Sequence, residues 1–436
     1  MNIAIIGTGY VGLVTGVCLS HIGHNVRCYD IDRNRISMLN NGISPIYEKD
    51  LEKLMKQNKK RLIYSTDINT ILNDVDIIFL TVDTPSKNDG SADLSHVFDA
   101  CLLIAQTIKK DSIVVIKSTV PVGTSEMIEK FFKINSKYNI HVVSNPEFLS
   151  QGSAVKDTLY ASRIVVGCDK SEVTKVIKEM YAPLLKEPYN VPFIEVKRNS
   201  AEIVKYACNN FLAVKLSYIN EIANFCKKND ADIEEVTNCM KLDSRIGKEY
   251  LQAGIGYGGS CLPKDTHALY EMGKFKMVKA AIEVNENQNL ILCNQLLKDF
   301  NNSTDKLQIA ILGLTFKANT DDVRNSPAIS NIELLLKKGV IIKVYDPVGI
   351  DNFQKHFENN KNITYCKTIS ESLKYSDAVL ILNDWTEIKN ISLELFVKKM
   401  NSPRIYDGRN CFSLNYVNKF PVYYYSIGRK TINNLN

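Results

Sequence analysis

Asn2-Ile-Ala-Ile-Ile6-Gly7-Thr8-Gly9-Tyr10-Val11-Gly12 reads as a buried strand running straight into a Gly-x-Gly-x-x-Gly turn. Residues 13–22 are apolar and long enough for a helix, and Asn25-Val-Arg-Cys-Tyr-Asp30 then predicts a second strand ending in a carboxylate. Gly7 permits the tight turn, Gly9 lets backbone amides approach a pyrophosphate, and Gly12 lets the helix pack on the strand. Asp30, 18 positions after Gly12, is placed to accept a ribose 2′-hydroxyl. A glycine turn alone is weak evidence. Strand, turn, helix and acid in register predict a dinucleotide cofactor, and Asp30 favours NAD over NADP by repelling a 2′-phosphate. Arg35 complicates that preference, since a guanidinium there would partly neutralise the carboxylate.

Outward from this unit, strands and helices alternate through roughly the first 195 residues. Apolar runs at 76–82, 112–117, 141–144 and 163–166 predict successive buried strands of one parallel sheet. Residues from about 200 to 295 read as helical throughout. From Leu307 the alternation resumes with Gln308-Ile-Ala-Ile-Leu-Gly313, Val340-Ile-Ile-Lys-Val-Tyr-Asp346, Asp377-Ala-Val-Leu-Ile-Leu382 and Arg404-Ile-Tyr-Asp407. Asn301-Asn-Ser-Thr-Asp305, short and polar, is the expected linker. The expected fold is α/β: two Rossmann-like doubly wound domains joined by a long central helix and helical region, with bounds 1–198, 199–298 and 307–436. The second α/β half has only Gly313 where the first has three glycines, so it is expected to hold a different phosphate-bearing ligand.

Gly256-Tyr-Gly-Gly-Ser-Cys261-Leu-Pro-Lys-Asp265 sets a lone thiol after a glycine run and before a helix start. Pro263 fits a first helical turn, and the positive helix end with Lys264 favours a thiolate, which makes Cys261 a candidate nucleophile. The alternative is a packed core cysteine. Between 201 and 214 nearly every position is apolar or aromatic, which predicts a helix buried all round. Its polar residues Glu202, Lys205 and Asn209 then need partners. Lys205 and Asn209 on one face would hold an oxygen that gains charge; the alternative is a Glu202–Lys205 ion pair. Lys117-Ser-Thr119-Val-Pro-Val-Gly123 and Ser144-Asn-Pro-Glu147-Phe-Leu-Ser-Gln151-Gly152 each follow a strand's C-terminal end, where open α/β sheets bind ligands. Glu147 is a candidate acid or base, and Thr119 a group that orients water or cofactor; both segments are also good turn formers.

Composition narrows the class. The 436 residues carry a net charge of +6 from 54 basic and 48 acidic side chains, scattered among each other, which points to small anions before nucleic acid. No apolar run approaches a membrane span and no charged leader precedes the first strand, so no membrane partner and a cytoplasmic location are expected. Eleven cysteines without a Cys-x-x-Cys pair make neither a disulfide framework nor a zinc site, and no metal is expected.

With these segments assembled, the chain closely resembles the UDP-glucose 6-dehydrogenase family of nucleotide-sugar dehydrogenases along nearly its whole length. The resemblance rests on Gly-Thr-Gly-Tyr-Val-Gly-Leu at 7–13, Asp-Thr-Pro at 83–85, Ser-Thr-Val-Pro-Val-Gly-Thr at 118–124, Asn-Pro-Glu-Phe-Leu at 145–149, Lys205 with Asn209, Gly-Gly-Ser-Cys-Leu-Pro-Lys-Asp at 258–265, and Gly-Leu-Thr-Phe-Lys-Ala-Asn-Thr-Asp-Asp-Val-Arg at 313–324. It implies oxidation of a sugar C6 alcohol to a carboxylate with NAD, through a thiohemiacetal and thioester on Cys261. It further implies Lys205 and Asn209 at the oxyanion, and Thr119, Glu147 and Asp265 as acid/base and water-positioning groups. By the same resemblance the cofactor meets Tyr10, Val11, Asp30, Arg35, Thr84, Thr119, Lys264 and Arg324. UDP-glucose, the implied substrate, meets Glu147, Phe148, Leu149, Gln151, Lys205, Asn209, Tyr250, Leu251, Gln252, Ala253, Gly254, Gly258 and Lys317, with Arg409 near the nucleotide. Arg245 is expected to reach across from another subunit of a homodimer or larger oligomer. Many relatives carry a glutamate where this chain has Gln151, so that carboxylate's role does not transfer. GDP-mannose, a UDP-N-acetylhexosamine, or a non-catalytic binding role are the alternatives. Ser260 and Asn145-Pro-Glu-Phe argue against the N-acetyl sugars, and the presence of Cys261, Lys205 and Asn209 against a silent protein.

Overall fold

Ile3 and Ile5 face one side of the first strand, Ala4 and Ile6 the other, and all four are buried in separate apolar clusters. A strand apolar on both faces belongs inside a sheet covered by helices on each side. In the computed structural model, which describes residues 1–304, 306–358 and 360–435, it does. Asp305, closing the expected linker, and Asn436, closing the expected third region, lie outside the described residues. The chain divides into two units at 208/209, within the helix Arg198–Lys228.

The first unit holds β1 (Asn2–Ile6), β2 (Asn25–Tyr29), β3 (Leu62–Ser65), β4 (Ile77–Leu80), β5 (Ser112–Ile116), β6 (Ile140–Ser144), β7 (Ile164–Gly167) and β8 (Phe193–Val196), ordered β3-β2-β1-β4-β5-β6-β7-β8. The order reverses between β1 and β4, where a doubly wound sheet opens its ligand crevice. Ile3 and Ile5 pack with Leu13, Val14 and Val17 of the helix Tyr10–His21, while Ala4 and Ile6 pack with Val97 and Ile104 of Ser95–Thr107. Each such buried Ile, Leu or Val side chain contributes about 1.5–3 kcal/mol.

The second unit repeats the plan with β9 (Gln308–Leu312), β10 (Ile341–Tyr345), β11 (Ile363–Tyr365), β12 (Ala378–Ile381), β13 (Arg404–Asp407), β14 (Tyr423–Ser426) and β15 (Ile432–Asn433), ordered β11-β10-β9-β12-β13-β14-β15. The first turns match closely. Gly7 has φ 96° and its amide donates to the Tyr29 carbonyl at 2.9 Å; Gly313 has φ 95° and donates to Tyr345 at 2.8 Å. At both places the chain leaves the strand through the left-handed region that glycine alone enters without cost.

Three expectations fail. β7 pairs antiparallel with β6, not parallel. The only helix between them, Ala154–Leu159, has six residues and rises about 9 Å, too little to return the chain along a strand of about 16 Å. Residues 241–261 are not helical, because their glycines and Tyr250 take positive φ at Gly247, Tyr250, Gly256 and Gly259. Nor is the long helix buried all round: Phe211 and Phe225 are 64% exposed and Tyr218 52%, spaced seven apart on one stripe.

Candidate active site

At the nucleotide turn the glycines divide the work as their spacing requires. A Cβ on Gly12 would lie 1.9 Å from the Gly7 carbonyl oxygen and 2.4 Å from Thr81 Oγ1, so the helix–strand approach excludes any side chain. A Cβ on Gly9 would meet nothing closer than Asp83 Oδ1 at 4.0 Å, which leaves that side of the turn open to a ligand. The first turn of the Tyr10–His21 helix carries no acid to oppose a phosphate at its amides. Asp30 is buried, accepting from the Thr8 amide (2.8 Å), the Thr8 hydroxyl (2.7 Å) and the Asp32 amide (3.0 Å), with Arg35 Nη1 at 3.5 Å. Tyr10 ties the turn to a distant loop: its hydroxyl donates to Glu48, and the Gly152 amide donates to Tyr10 Oη at 2.9 Å and Glu48 Oε2 at 2.8 Å. Thr84 Oγ1 donates to the Thr119 carbonyl at 2.8 Å, joining the loops after β4 and β5. These residues fit a dinucleotide.

The equivalent acid of the second unit is occupied differently. Asp346 accepts from the amides of Leu314, Thr315, Val348 and Gly349, from Trp385 Nε1 and, at 3.4 Å, from the Thr315 hydroxyl, so six protein donors saturate it. A ribose hydroxyl finds no acceptor there.

Beyond the strand ends of the first unit lies a buried charge pair. Glu147, two residues past Asn145 at the end of β6, receives Lys205 Nζ at 2.7 Å, and the Leu149 amide donates to its other oxygen at 2.7 Å. Burial alone would raise this carboxyl. The Lys205 ammonium, the Leu149 amide and Lys117 outweigh it and hold the carboxyl below its ordinary value. Burial pushes Lys117 down to about 8, with Lys205 adding to the shift and Glu147 opposing it. Phe148 carries the Arg163 guanidinium at 4.0 Å from its ring centroid. Glu202 does not pair with Lys205; its carboxylate caps the helix Thr124–Asn135, accepting from the amides of Gly123 (2.7 Å) and Ser125 (2.8 Å).

In the second unit Asn209 Nδ2 donates to Asp265 Oδ2 at 2.6 Å, and Lys264 Nζ to Asp265 Oδ1 at 2.7 Å, so Asp265 matches the Lys264 charge. Cys261 is exposed at the N-cap of the helix Leu262–Gly273, with Pro263 in its first turn. A packing role does not suit it. The glycines before it are clasped: a Cβ on Gly258 would lie 2.2 Å from the Asn325 carbonyl oxygen, and Gly259 bonds Arg324 O through its amide (3.0 Å) and Asn325 Nδ2 through its carbonyl (3.1 Å). Upstream, Tyr250 sits at φ 60°, and Leu251 and Ala253 are buried while Gln252 is exposed. Gly254 donates to Asn220 Oδ1 (2.9 Å) and accepts from Gln288 Nε2 (2.6 Å). Arg409 is half-buried beside it, with Nε on the Leu382 carbonyl (3.0 Å) and Nη2 on that of Phe316 (3.3 Å); desolvation lowers its pKa, with Asp384 opposing. Lys317 lies 5.7 Å from the Phe316 ring centroid. Arg324 and Arg245 each clasp an aspartate of their own segment, Asp322 and Asp243. Gln151 is half-buried.

Sequence reading passed over Asn220, Asn285 and Gln288, the helix amides that pin the loop before Cys261, and Lys117 and Asn145 beside Glu147. Their signal was a buried polar residue on an apolar helix or strand end, whose partner lies far along the chain. Among the described residues no group of three or more His, Cys, Asp or Glu is placed to hold a metal, and no helix is long and apolar enough to cross a membrane.

Three models of one family match in chain order: the UDP-glucose/GDP-mannose dehydrogenase family NAD binding domain over residues 1–185, its central domain over 199–287 and its UDP binding domain over 310–414. The chain is 45% identical to UDP-glucose 6-dehydrogenase YwqF of Bacillus subtilis, over 99% of this chain and 98% of that protein, and 41% identical to TuaD of the same organism, over 99% and 94%. A UDP-glucose dehydrogenase from the archaeon Pyrobaculum islandicum superposes with a TM-score of 0.90 at 31% identity, covering 98% of each chain.

Proposed function

The chain belongs to the UDP-glucose/GDP-mannose dehydrogenase family and is an NAD-dependent oxidoreductase, and we propose that it turns the C6 alcohol of UDP-glucose into the carboxylate of UDP-glucuronate. NAD⁺, when bound, supplies acceptance of two electrons and a proton as hydride, twice for each sugar. In this reading Glu147, held ionised, takes or positions a proton, while Lys205 and Asn209 steady the negative oxygen that develops at C6. Asp265 orients the Asn209 amide, and Thr119 holds the cofactor-side loop or a water. Cys261 keeps the aldehyde as a thiohemiacetal and carries the acyl group as a thioester until water cleaves it. The exposed thiol at a helix start carries this reading, because an alcohol oxidation that stops at the aldehyde needs no nucleophile.

NADH absorbance with UDP-glucose, UDP-N-acetylglucosamine, UDP-N-acetylmannosamine and GDP-mannose tests it. The expected result is highest kcat/KM with UDP-glucose and two NADH per sugar; faster turnover of GDP-mannose, or one NADH per sugar, overturns it. NAD⁺ is expected to exceed NADP⁺ in kcat/KM, since the buried Asp30 carboxylate repels a 2′-phosphate, with Arg35 limiting the ratio. Equal values for the two cofactors would sink that assignment.

The same reading makes the protein at least a dimer. The exposed stripe of Phe211, Tyr218 and Phe225 on a 31-residue helix supports a two-fold helical interface, across which Arg245 reaches a neighbouring site. Light scattering on Phe211→Glu/Tyr218→Glu should show monomer where the parent shows dimer or larger; a fully active parent monomer at micromolar concentration is the contrary outcome. Eleven free thiols support a reducing, cytoplasmic setting.

A further inference from the structure

Lys117 is a buried cation set against a neutral oxygen. It follows β5 directly and lies beside Asn145, which follows the parallel neighbour β6; the register places Ile116 against Ser144. Lys117 is 8% exposed, and its ammonium donates to Asn145 Oδ1 at 3.3 Å, an oxygen already taken at 2.6 Å by the Tyr181 hydroxyl. Glu147 stands two residues beyond Asn145. Lys117 and Glu147 line one cavity of about 310 Å³ within the first unit, with Thr15 and Cys18 of the Tyr10–His21 helix on its wall. The charges that act on Lys117 are those of Glu147 and Lys205. Glu147 is already bonded to Lys205 at 2.7 Å, so two buried ammonium groups share one buried carboxylate. The other charged side chains of the wall are occupied elsewhere. Asp157 accepts from the Ser150 amide (2.9 Å) and the Ser153 hydroxyl (2.8 Å), and Arg163 lies on the Phe148 ring and donates to Ser162 Oγ and Cys208 Sγ. Tyr181 and Cys18 are pushed up by burial and stay neutral, and the half-exposed Tyr160 forms the rim.

In the oxidation proposed above, on which this inference rests, Lys205 offers its ammonium to the C6 oxygen as that oxygen gains charge. One ammonium cannot hold a carboxylate and an oxyanion at full strength together. As Lys205 turns to the sugar, burial drives the Glu147 carboxyl up, and a protonated carboxyl can take no proton. We propose that Lys117 is a positioning residue that prevents this, acting through Glu147 to keep the carboxylate ionised while Lys205 is shared with the C6 oxygen. No bond forms or breaks at Lys117. The excess positive charge is matched by the anion that develops on the sugar, so the buried charges balance only as the reaction proceeds. Burial brings the Lys117 ammonium down to about 8, so its charge is present at neutral pH and is lost as pH rises through that value.

The pH profiles of kcat and kcat/KM with UDP-glucose test this role. Lys117→Gln removes the charge and keeps a donor for Asn145, which guards against misfolding of Lys117→Met, where both are lost. In each variant the acid limb of kcat, which reports the enzyme with sugar bound, should move up by about one pH unit. The limb of kcat/KM, which reports free enzyme with Lys205 still on Glu147, should move less. Lys117→Arg should return both limbs toward the parent's. Parent and Lys117→Gln should converge above about pH 8, where the parent's own lysine has lost its charge. A kcat limb that stays in place in folded Lys117→Gln, or a rate lowered by one factor at every pH as a merely structural lysine would give, overturns the proposal. Glu147→Gln separates the two readings. If it keeps the parent's acid limb, Glu147 is not the group that handles the proton, and that reading and the role of Lys117 fall together; if it loses the limb while Lys117→Gln leaves it in place, the role of Lys117 falls alone.

Discussion

Cys261→Ser is expected to bind NAD⁺ and UDP-glucose as the parent does while losing overall turnover by several orders of magnitude. The thiol is exposed at a helix start, so the substitution removes no packing, and serine is nearly isosteric. What changes is nucleophilicity: a hydroxyl adds to an aldehyde far more slowly than a thiolate. The glycine clasp at Asn325 and the loop pinned by Gln288 remain, so ground-state binding survives and the loss falls on kcat. Equilibrium titration of both ligands with steady-state NADH release checks the split. Parent-level UDP-glucuronate from the serine variant would end the covalent reading.

Lys205→Ala is expected to be the second large effect, and it has two parts. Loss of an oxyanion donor costs about two to three powers of ten in kcat. It also strands Glu147, whose carboxylate is buried and bonded to Lys205 at 2.7 Å, and breaking a buried pair from one side typically destabilises by about 3–5 kcal/mol. The sign with pH follows. Glu147 titrates below its ordinary value in the folded protein, so the pair's stabilisation is complete above the ordinary carboxylate range and is lost as pH falls through the depressed value. Without Lys205, burial dominates and the carboxyl rises. The variant's residual activity should therefore need higher pH than the parent's, and its melting temperature should fall most near neutrality. A kcat–pH profile together with thermal denaturation measures both parts, and a variant with unchanged Tm and unchanged acid limb would show that Lys205 does not hold Glu147.

The features the sequence determined by itself are local ones. Gly7 at positive φ, Gly12 against the Gly7 carbonyl, Asp30 at the end of β2 and Cys261 ahead of Pro263 are each decided within a strand, a turn and a helix, where backbone sterics leave few choices. The alternation of apolar runs likewise foretold both doubly wound sheets. What only the tertiary structure decided are partnerships between distant residues. Lys205 chose Glu147, 58 residues away, over its helix neighbour Glu202, and Asn209 found Asp265 at a separation of 56. Helical spacing makes Glu202 and Lys205 available to each other, but the carboxylate gains more from capping the orphan amides at Gly123 and Ser125. The antiparallel β7, the exposed stripe at Phe211, Tyr218 and Phe225, and the cavity at Thr15 and Lys117 belong to the same class. A side chain's type states that it needs a partner or a cover, and only packing in three dimensions says which one it receives.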